Sequence, residues 1–179
     1  MKLYYTRHGE TVWNHRDVVC GRTDIPLTEK GQQQALELAA QAEAAGIDVI
    51  IASPLIRAQQ TAQAVSDRIG VPILTEPLLI EQCFGDFEGC DRHNPQYLDY
   101  KRNFFRRFPG GGESLVMVAQ RAYSLIEKVK REHAGHTVLL VGHGAFGRVF
   151  RTWFLDTPNA QFDQWYLKNC QMVEFELEE

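Results

Sequence analysis

A chain of 179 residues, 44% hydrophobic and 23% charged, has the composition of a globular protein with a sizeable core, which excludes a disordered or coiled-coil reading. Its formal net charge of −4 lacks the basic surplus of a chain that tracks a nucleic-acid backbone, so no nucleic-acid partner is expected. No apolar run approaches the ~18 residues of a membrane span, and Met1-Lys2 runs directly into Leu3-Tyr4-Tyr5 without a signal-peptide core, so a cytoplasmic protein with no membrane partner is expected.

In chain order, strands are predicted at 2–6, 49–52, 73–75, 137–141 and 172–177. Three of these are apolar runs without alternation, the pattern of strands covered on both faces. Helices are predicted between them. The segment 28–45 starts at Thr28 as a cap and presents Ala35, Leu36, Leu38, Ala39 and Ala42. The segment 55–69 follows Ser53-Pro54, taken as a cap and a first-turn proline, and stops at Gly70. The segment 114–133 carries Leu115, Val118, Ala122, Leu125, Ile126 and Val129 at helical spacing. This alternation predicts an α/β fold, a three-layer α/β/α sandwich with a largely parallel central sheet. No repeat or linker interrupts residues 1–179, which predicts a single domain. Residues 80–112, rich in Gly, Phe and Arg, read as a small inserted cap over the C-terminal ends of the strands. Cys20, Cys83, Cys90 and Cys170 form no CxxC pair and fit no zinc spacing, so reduced thiols are expected.

In open α/β sheets ligands bind outside the carboxyl ends of the strands. After the first strand comes Thr6-Arg7-His8-Gly9-Glu10, after the second Ser53-Pro54-Leu55-Ile56-Arg57, and after the fourth Gly142-His143-Gly144. Two arginines and two histidines should therefore converge on one rim. The set is poor for a metal cation, since an arginine keeps its charge, and it suits a dianionic phosphate held by bidentate contacts. It also makes one histidine a credible nucleophile. Neutral imidazole attacks phosphorus, and neighbouring arginines disfavour a further positive charge on it.

The run Tyr5-Thr6-Arg7-His8-Gly9-Glu10-Thr11, with Trp13-Asn14 after it, resembles the RHGE-x-x-x-N signature of the histidine phosphatase (phosphoglycerate mutase-like) superfamily. The resemblance extends over nearly the whole chain. Gly21-Arg22-Thr23-Asp24-Ile25-Pro26-Leu27 resembles the family's substrate loop, and Ser53-Pro54-Leu55-Ile56-Arg57-Ala58 its second arginine motif. Glu81-Gln82-Cys83-Phe84-Gly85-Asp86-Phe87-Glu88-Gly89 resembles the acid-bearing segment, and Gly110-Gly111-Gly112-Glu113-Ser114 with Val141-Gly142-His143-Gly144 completes the set. The resemblance implies a phosphomonoester hydrolase acting on a small phosphorylated metabolite through phosphorylated His8. Arg7, Arg57 and His143 would form the phosphate pocket, and Asn14 and the Gly144 N–H would be further donors. Glu81 would protonate the leaving oxygen and would have to hold its proton near neutral pH. No metal or organic cofactor is implied, and oligomeric state is left open.

Each residue has a competing ordinary reading. Arg57 could be a solvated helix residue, Asn14 a turn residue, and Glu81 a loop residue with Glu88 taking the acid role. Gly142-His143-Gly144-Ala145-Phe146-Gly147 also matches a dinucleotide-binding G-x-G-x-x-G, with Glu176 or Glu178 as the acid, but a histidine occupies the tight turn. Tyr97–Phe108 carries Lys101, Arg102, Arg106 and Arg107 among aromatics. It reads as an amphipathic helix packing its rings, or as a cap whose cations grip a second anionic group of the substrate. Within the family the rivals are a cofactor-dependent phosphoglycerate mutase and an α-ribazole phosphatase. The stretches after Glu81 and after His143 look shorter than the mutase pattern, which favours a phosphatase. Outside it stands a phospho-ligand binding module without turnover.

Overall fold

A computed structural model describes Met1–Glu178. Five strands form one sheet in the order β3-β2-β4-β1-β5. They are β1 (Lys2–Arg7), β2 (Val49–Ala52), β3 (Ile73–Thr75), β4 (Val138–Gly142) and β5 (Met172–Glu176). All neighbours run parallel except β5, which pairs antiparallel with β1 at the edge.

The apolar runs of the central strands are buried on both faces. Leu3 and Tyr5 of β1 and Val138 and Leu140 of β4 point into one core, with Val118, Leu125 and Ile126 of helix α5 (Leu115–Glu132) and Phe146 and Phe150 of α6 (Gly144–Phe150). Tyr4, Leu139 and Val141 point the other way, with Leu38 and Ala42 of α2 (Glu29–Ala45) and Ala58 and Ala62 of α3 (Ile56–Ile69). The period-2 geometry of a strand thus divides one apolar run between two helical layers, giving the predicted α/β/α sandwich.

The helices start and stop where their side chains allow. Thr28 accepts from the Gly31 N–H to cap α2, and the chain leaves through left-handed Gly46 (φ 68). Ser114 caps α5 through the Met117 N–H. The expected cap of α3 is a correction. The helix begins at Ile56, its N-cap position is Leu55 without a side-chain cap bond, and the Ser53 hydroxyl lies instead against His143.

Two four-residue helices, α1 (Val12–His15) and α7 (Asn159–Phe162), are too short to show a hydrophobic period. The amphipathic helix expected over Tyr97–Phe108 is shorter and shifted. Capped by Asn94, α4 runs Pro95–Arg102 and ends at Asn103. Tyr97, Phe84, Phe108 and Val19 build a third apolar cluster. The four cysteines are free. Among the described residues no helix is long and apolar enough to cross a membrane.

Candidate active site

The sheet order places β2, β4 and β1 side by side, and their register brings the exits level. Arg7 pairs with Gly142 and Ala52 with Val141. One residue on, the His8 N–H donates to Gly142 O (3.0 Å) and the Ser53 N–H to Val141 O (3.0 Å). His8, Ser53 and His143 therefore leave the sheet at one level, and Arg57 follows in the first turn of α3. The glycines of the G-x-G-x-x-G run make room for a side chain. A Cβ on Gly142 would lie 2.3 Å from the Tyr5 hydroxyl, and one on Gly147 would lie 2.5 Å from its ring. Tyr5 is fixed there, because its hydroxyl donates to His143 O and accepts from His143 N, both at 2.8 Å.

His8, His143, Arg7 and Arg57 come together and are buried. His8 Nδ1 lies 2.7 Å from Gly9 O, a carbonyl that can only accept, so the ring proton sits on Nδ1 and the lone pair on Nε2. Arg57 Nε–H donates to that Nε2 (3.1 Å), while its Nη1 and Nη2 donate to Thr23 O and Gly21 O. The His143 ring centroid is 5.2 Å from that of His8. Arg7 Nη1 donates to the Tyr166 hydroxyl and Leu167 O. Burial, reinforced by Arg57 and Arg7, holds His8 well below its ordinary value, and burial with Arg57 and His8 does the same to His143. Both imidazoles are thus neutral.

Two buried nitrogens here, Arg7 Nε and His143 Nδ1, have no hydrogen-bond partner among the described residues. An unpaired buried polar atom costs roughly 1–3 kcal/mol, so two within one cationic cluster fit a site built around an anion.

A cavity of about 120 Å³ opens beside the cluster, lined by Arg7, His8, Asn14, Glu81 and Gly144 but not by Arg57 or His143. Both ordinary and functional readings of Asn14 have support, because its Oδ1 accepts from the Thr11 N–H in capping α1 while the residue also lines the cavity. Glu81 rests on the start of α6. Its Oε1 accepts from the Gln82 and Phe146 N–H groups (2.8 Å each) and its Oε2 from the Ala145 N–H (3.0 Å). Glu88 is elsewhere occupied, accepting from the N–H groups of Gly21, Arg22, Thr23 and Phe84 and from the Thr23 hydroxyl.

Of the four cations singled out after residue 100, only Lys101 lines this cavity. Arg106 pairs with Asp99 over the Tyr100 ring, Arg107 donates to Gly112 O, and Arg102 lies at a separate surface hollow. Two further cations line the cavity that sequence reasoning missed, Arg92 and Arg148. Burial and then Arg148 pull the Lys101 ammonium below its usual value, with Asp163 opposing. Also missed were Asn169, whose side-chain N–H donates to His8 O (2.7 Å), and Tyr166 on Arg7. Neither carries a signal in its own neighbourhood, since both arrive from the β5 approach 160 residues away from their partners or nearly so. Buried Glu113 and half-buried Arg121 form a pair that holds the acid-bearing segment, Glu113 accepting from the Cys83 N–H and Arg121 donating to Leu78 O and Ile80 O.

A sequence profile described as histidine phosphatase superfamily (branch 1) matches residues 3–179. A protein named Probable phosphoglycerate mutase GpmB, from Enterobacter sp. (strain 638), is 34% identical over all of this chain and 86% of its own length. A mycobacterial glucosyl-3-phosphoglycerate phosphatase, solved as a complex with VO3, superposes with a TM-score of 0.87 at 26% identity, covering 97% of this chain and 91% of its own. A phosphoserine phosphatase from Entamoeba histolytica, solved with 3-phosphoglyceric acid, gives a TM-score of 0.86 at 28% identity, with 98% and 90% covered.

Proposed function

Since the chain belongs to the histidine phosphatase superfamily (branch 1), whose members are phosphatases or mutases, we propose that it is a phosphomonoester hydrolase of a small phosphorylated metabolite, with His8 as nucleophile. The observation that carries the reading is the state of His8. It is a neutral imidazole whose Nδ1–H is donated to Gly9 O and whose Nε2 lone pair lies inside a cluster of two arginines and a second histidine.

In the proposed first step, the Arg57 Nε–H that rests on Nε2 turns to a phosphoryl oxygen and frees the lone pair. His8 Nε2 bonds to phosphorus as the ester P–O bond breaks, and the leaving oxygen takes a proton from Glu81. Glu81 Oε2 accepts a single N–H, which leaves it a position to hold and pass that proton. In the second step water bonds to phosphorus, its proton returns to Glu81, and the P–N bond breaks to release phosphate. Arg7, Arg57 and His143 stabilise the charge that spreads over the equatorial oxygens. Beyond the phosphoryl position the cavity carries Arg92, Lys101 and Arg148, which supports a substrate with a second acidic group such as a carboxylate. We take residues 1–179 as one domain, with 80–112 as its cap.

The test is a rapid quench with phosphorus-labelled p-nitrophenyl phosphate. Acid-labile, base-stable label on His8, and its loss together with turnover in His8→Ala, are expected. Substantial turnover in His8→Ala overturns the assignment. The 34% identity to a protein named as a phosphoglycerate mutase favours mutase activity as a second reading. Conversion of 3-phosphoglycerate to 2-phosphoglycerate that depends on a 2,3-bisphosphoglycerate primer, without net phosphate release, would select it.

A further inference from the structure

We propose that Ser53 is a positioning residue that donates its hydroxyl hydrogen to His143 Nε2, holding that imidazole in the Nδ1–H tautomer so that Nδ1–H meets the phosphoryl group. Only the identity of what Nδ1–H meets rests on the phosphoryl-transfer reading. The tautomer follows from the protein alone.

Ser53 Oγ lies 2.7 Å from His143 Nε2, and both residues are fully buried. A hydrogen bond of that length requires one partner to donate. The Leu55 N–H points at the same oxygen (3.4 Å), so one lone pair of Ser53 is already engaged and its own hydrogen needs an acceptor. Among the described residues Nε2 is the acceptor within reach. An imidazole that accepts at Nε2 and is neutral carries its proton on Nδ1. Neutrality is enforced by burial and by Arg57, which disfavour another cation.

Among the described residues Nδ1 is the His143 ring nitrogen left without a partner, in a ring 5.2 Å from that of His8. The tautomer therefore decides what the site presents there. With Ser53 donating, the unpaired atom is an N–H donor, which an anion satisfies. With the proton on Nε2, the unpaired atom would be a lone pair facing phosphoryl oxygens. Ser53 has little else to settle, because Tyr5 grips the His143 N–H and carbonyl and Gln59 holds the Ser53 carbonyl. Its effect is on the proton more than on the ring's place.

The experiment is a long-range ¹H–¹⁵N spectrum of protein labelled at histidine, with His143→Gln used for assignment. Wild type should show a pyrrole-type Nδ1 and a pyridine-type Nε2 for His143. A pyrrole-type Nε2 overturns the proposal, and this readout needs neither turnover nor a Ser53 variant. Ser53→Ala should mix the two tautomers and lower kcat by about 10-fold to 10²-fold with KM changed far less, short of the ~10²–10³ that follows outright removal of a donor. In a His143→Ala background Ser53→Ala should have no further effect on kcat, since Ser53 acts through that ring. Independent, multiplying losses would overturn the proposal. Failure of the His8 label would sink the proposed reaction and leave the tautomer result standing.

Discussion

Acid should destabilise the unliganded protein, and two residues should account for most of the effect between about pH 7.5 and about pH 5.5. His8 and His143 are held well below the ordinary imidazole value, first by burial and then by the arginines beside them. In the unfolded chain both return to about 6.5. Between the folded and unfolded values the unfolded state binds more protons, so stability falls as pH falls. The contribution is fully present above about pH 6.5 and is lost below it. At one unit below, each group costs up to about 1.4 kcal/mol, and the pair up to about 2.8 kcal/mol. That is a large share of the roughly 5–15 kcal/mol that holds a domain folded. Carboxylates titrate mostly below this window. Urea unfolding in phosphate-free buffer at the two pH values reads the difference, and His8→Asn should reduce it by about half. Inorganic phosphate, by supplying opposing charge, should flatten the dependence. A wild type whose stability does not change across the window, or a His8→Asn variant with the wild-type slope, would refute the reasoning.

Arg57→Ala should raise KM and lower kcat, because the guanidinium touches His8 and in the proposed reaction would face the phosphoryl group at rest and in transfer, and wild-type kinetics would return it to an ordinary core residue. Glu81→Gln should cut turnover of alkyl phosphates by about 10²–10⁴-fold while slowing the burst with p-nitrophenyl phosphate far less, since nitrophenolate leaves without a proton. Glu88→Gln should weaken both substrates alike, because Glu88 organises the loop on which Arg57 rests; a leaving-group dependence there would move the acid role to it. Lys101→Met should raise KM for phosphoglycerate by about tenfold and leave p-nitrophenyl phosphate unchanged, and equal effects on both would remove the second-anion contact.

The layers of the fold and the four central residues were legible because each rests on local signal. Apolar runs mark doubly covered strands, and a rule about strand ends says where their exits meet. What escaped depends on contacts between distant segments. Ser53 looks like a helix cap in its own neighbourhood, and only the adjacency of β2 and β4 turns its hydroxyl to His143. Arg92 and Arg148 are charges on a cap loop and a helix until folding turns both into one cavity. Asn169 reaches His8 through the segment before β5, where Cys170 takes a left-handed backbone (φ 55) and donates its N–H to Arg7 O. The helix expected over Tyr97–Phe108 stopped early because Phe104 and Phe108 serve different clusters, which one continuous helix face would not reach.

The arginines divide by the acceptors that hold them, and that division supports the proposal that the site takes a dianion. Arg121 pairs with Glu113, Arg148 with Asp163 and Arg22 with Glu113. Each of these charges is offset in part by a carboxylate of the protein, Glu113 serving two arginines and Asp163 serving Arg148 and Lys101. Arg7 and Arg57 form no salt bridge among the described residues. Arg7 is held by a phenol and a carbonyl, and Arg57 by two loop carbonyls and a neutral imidazole. Neutral acceptors fix a guanidinium in place without cancelling its field, whereas a carboxylate beside either one would compete with phosphate for the same donors. The carboxylate closest in role, Glu88, stays one step removed. It binds the N–H groups of residues 21–23, whose carbonyls at Gly21 and Thr23 face Arg57, so a negative charge orders the arginine's ligands without touching the arginine. Burial first, and then the same uncancelled field, keep His8 neutral, so in the proposed reaction the arginines that would bind the anion also help to keep the nucleophile unprotonated.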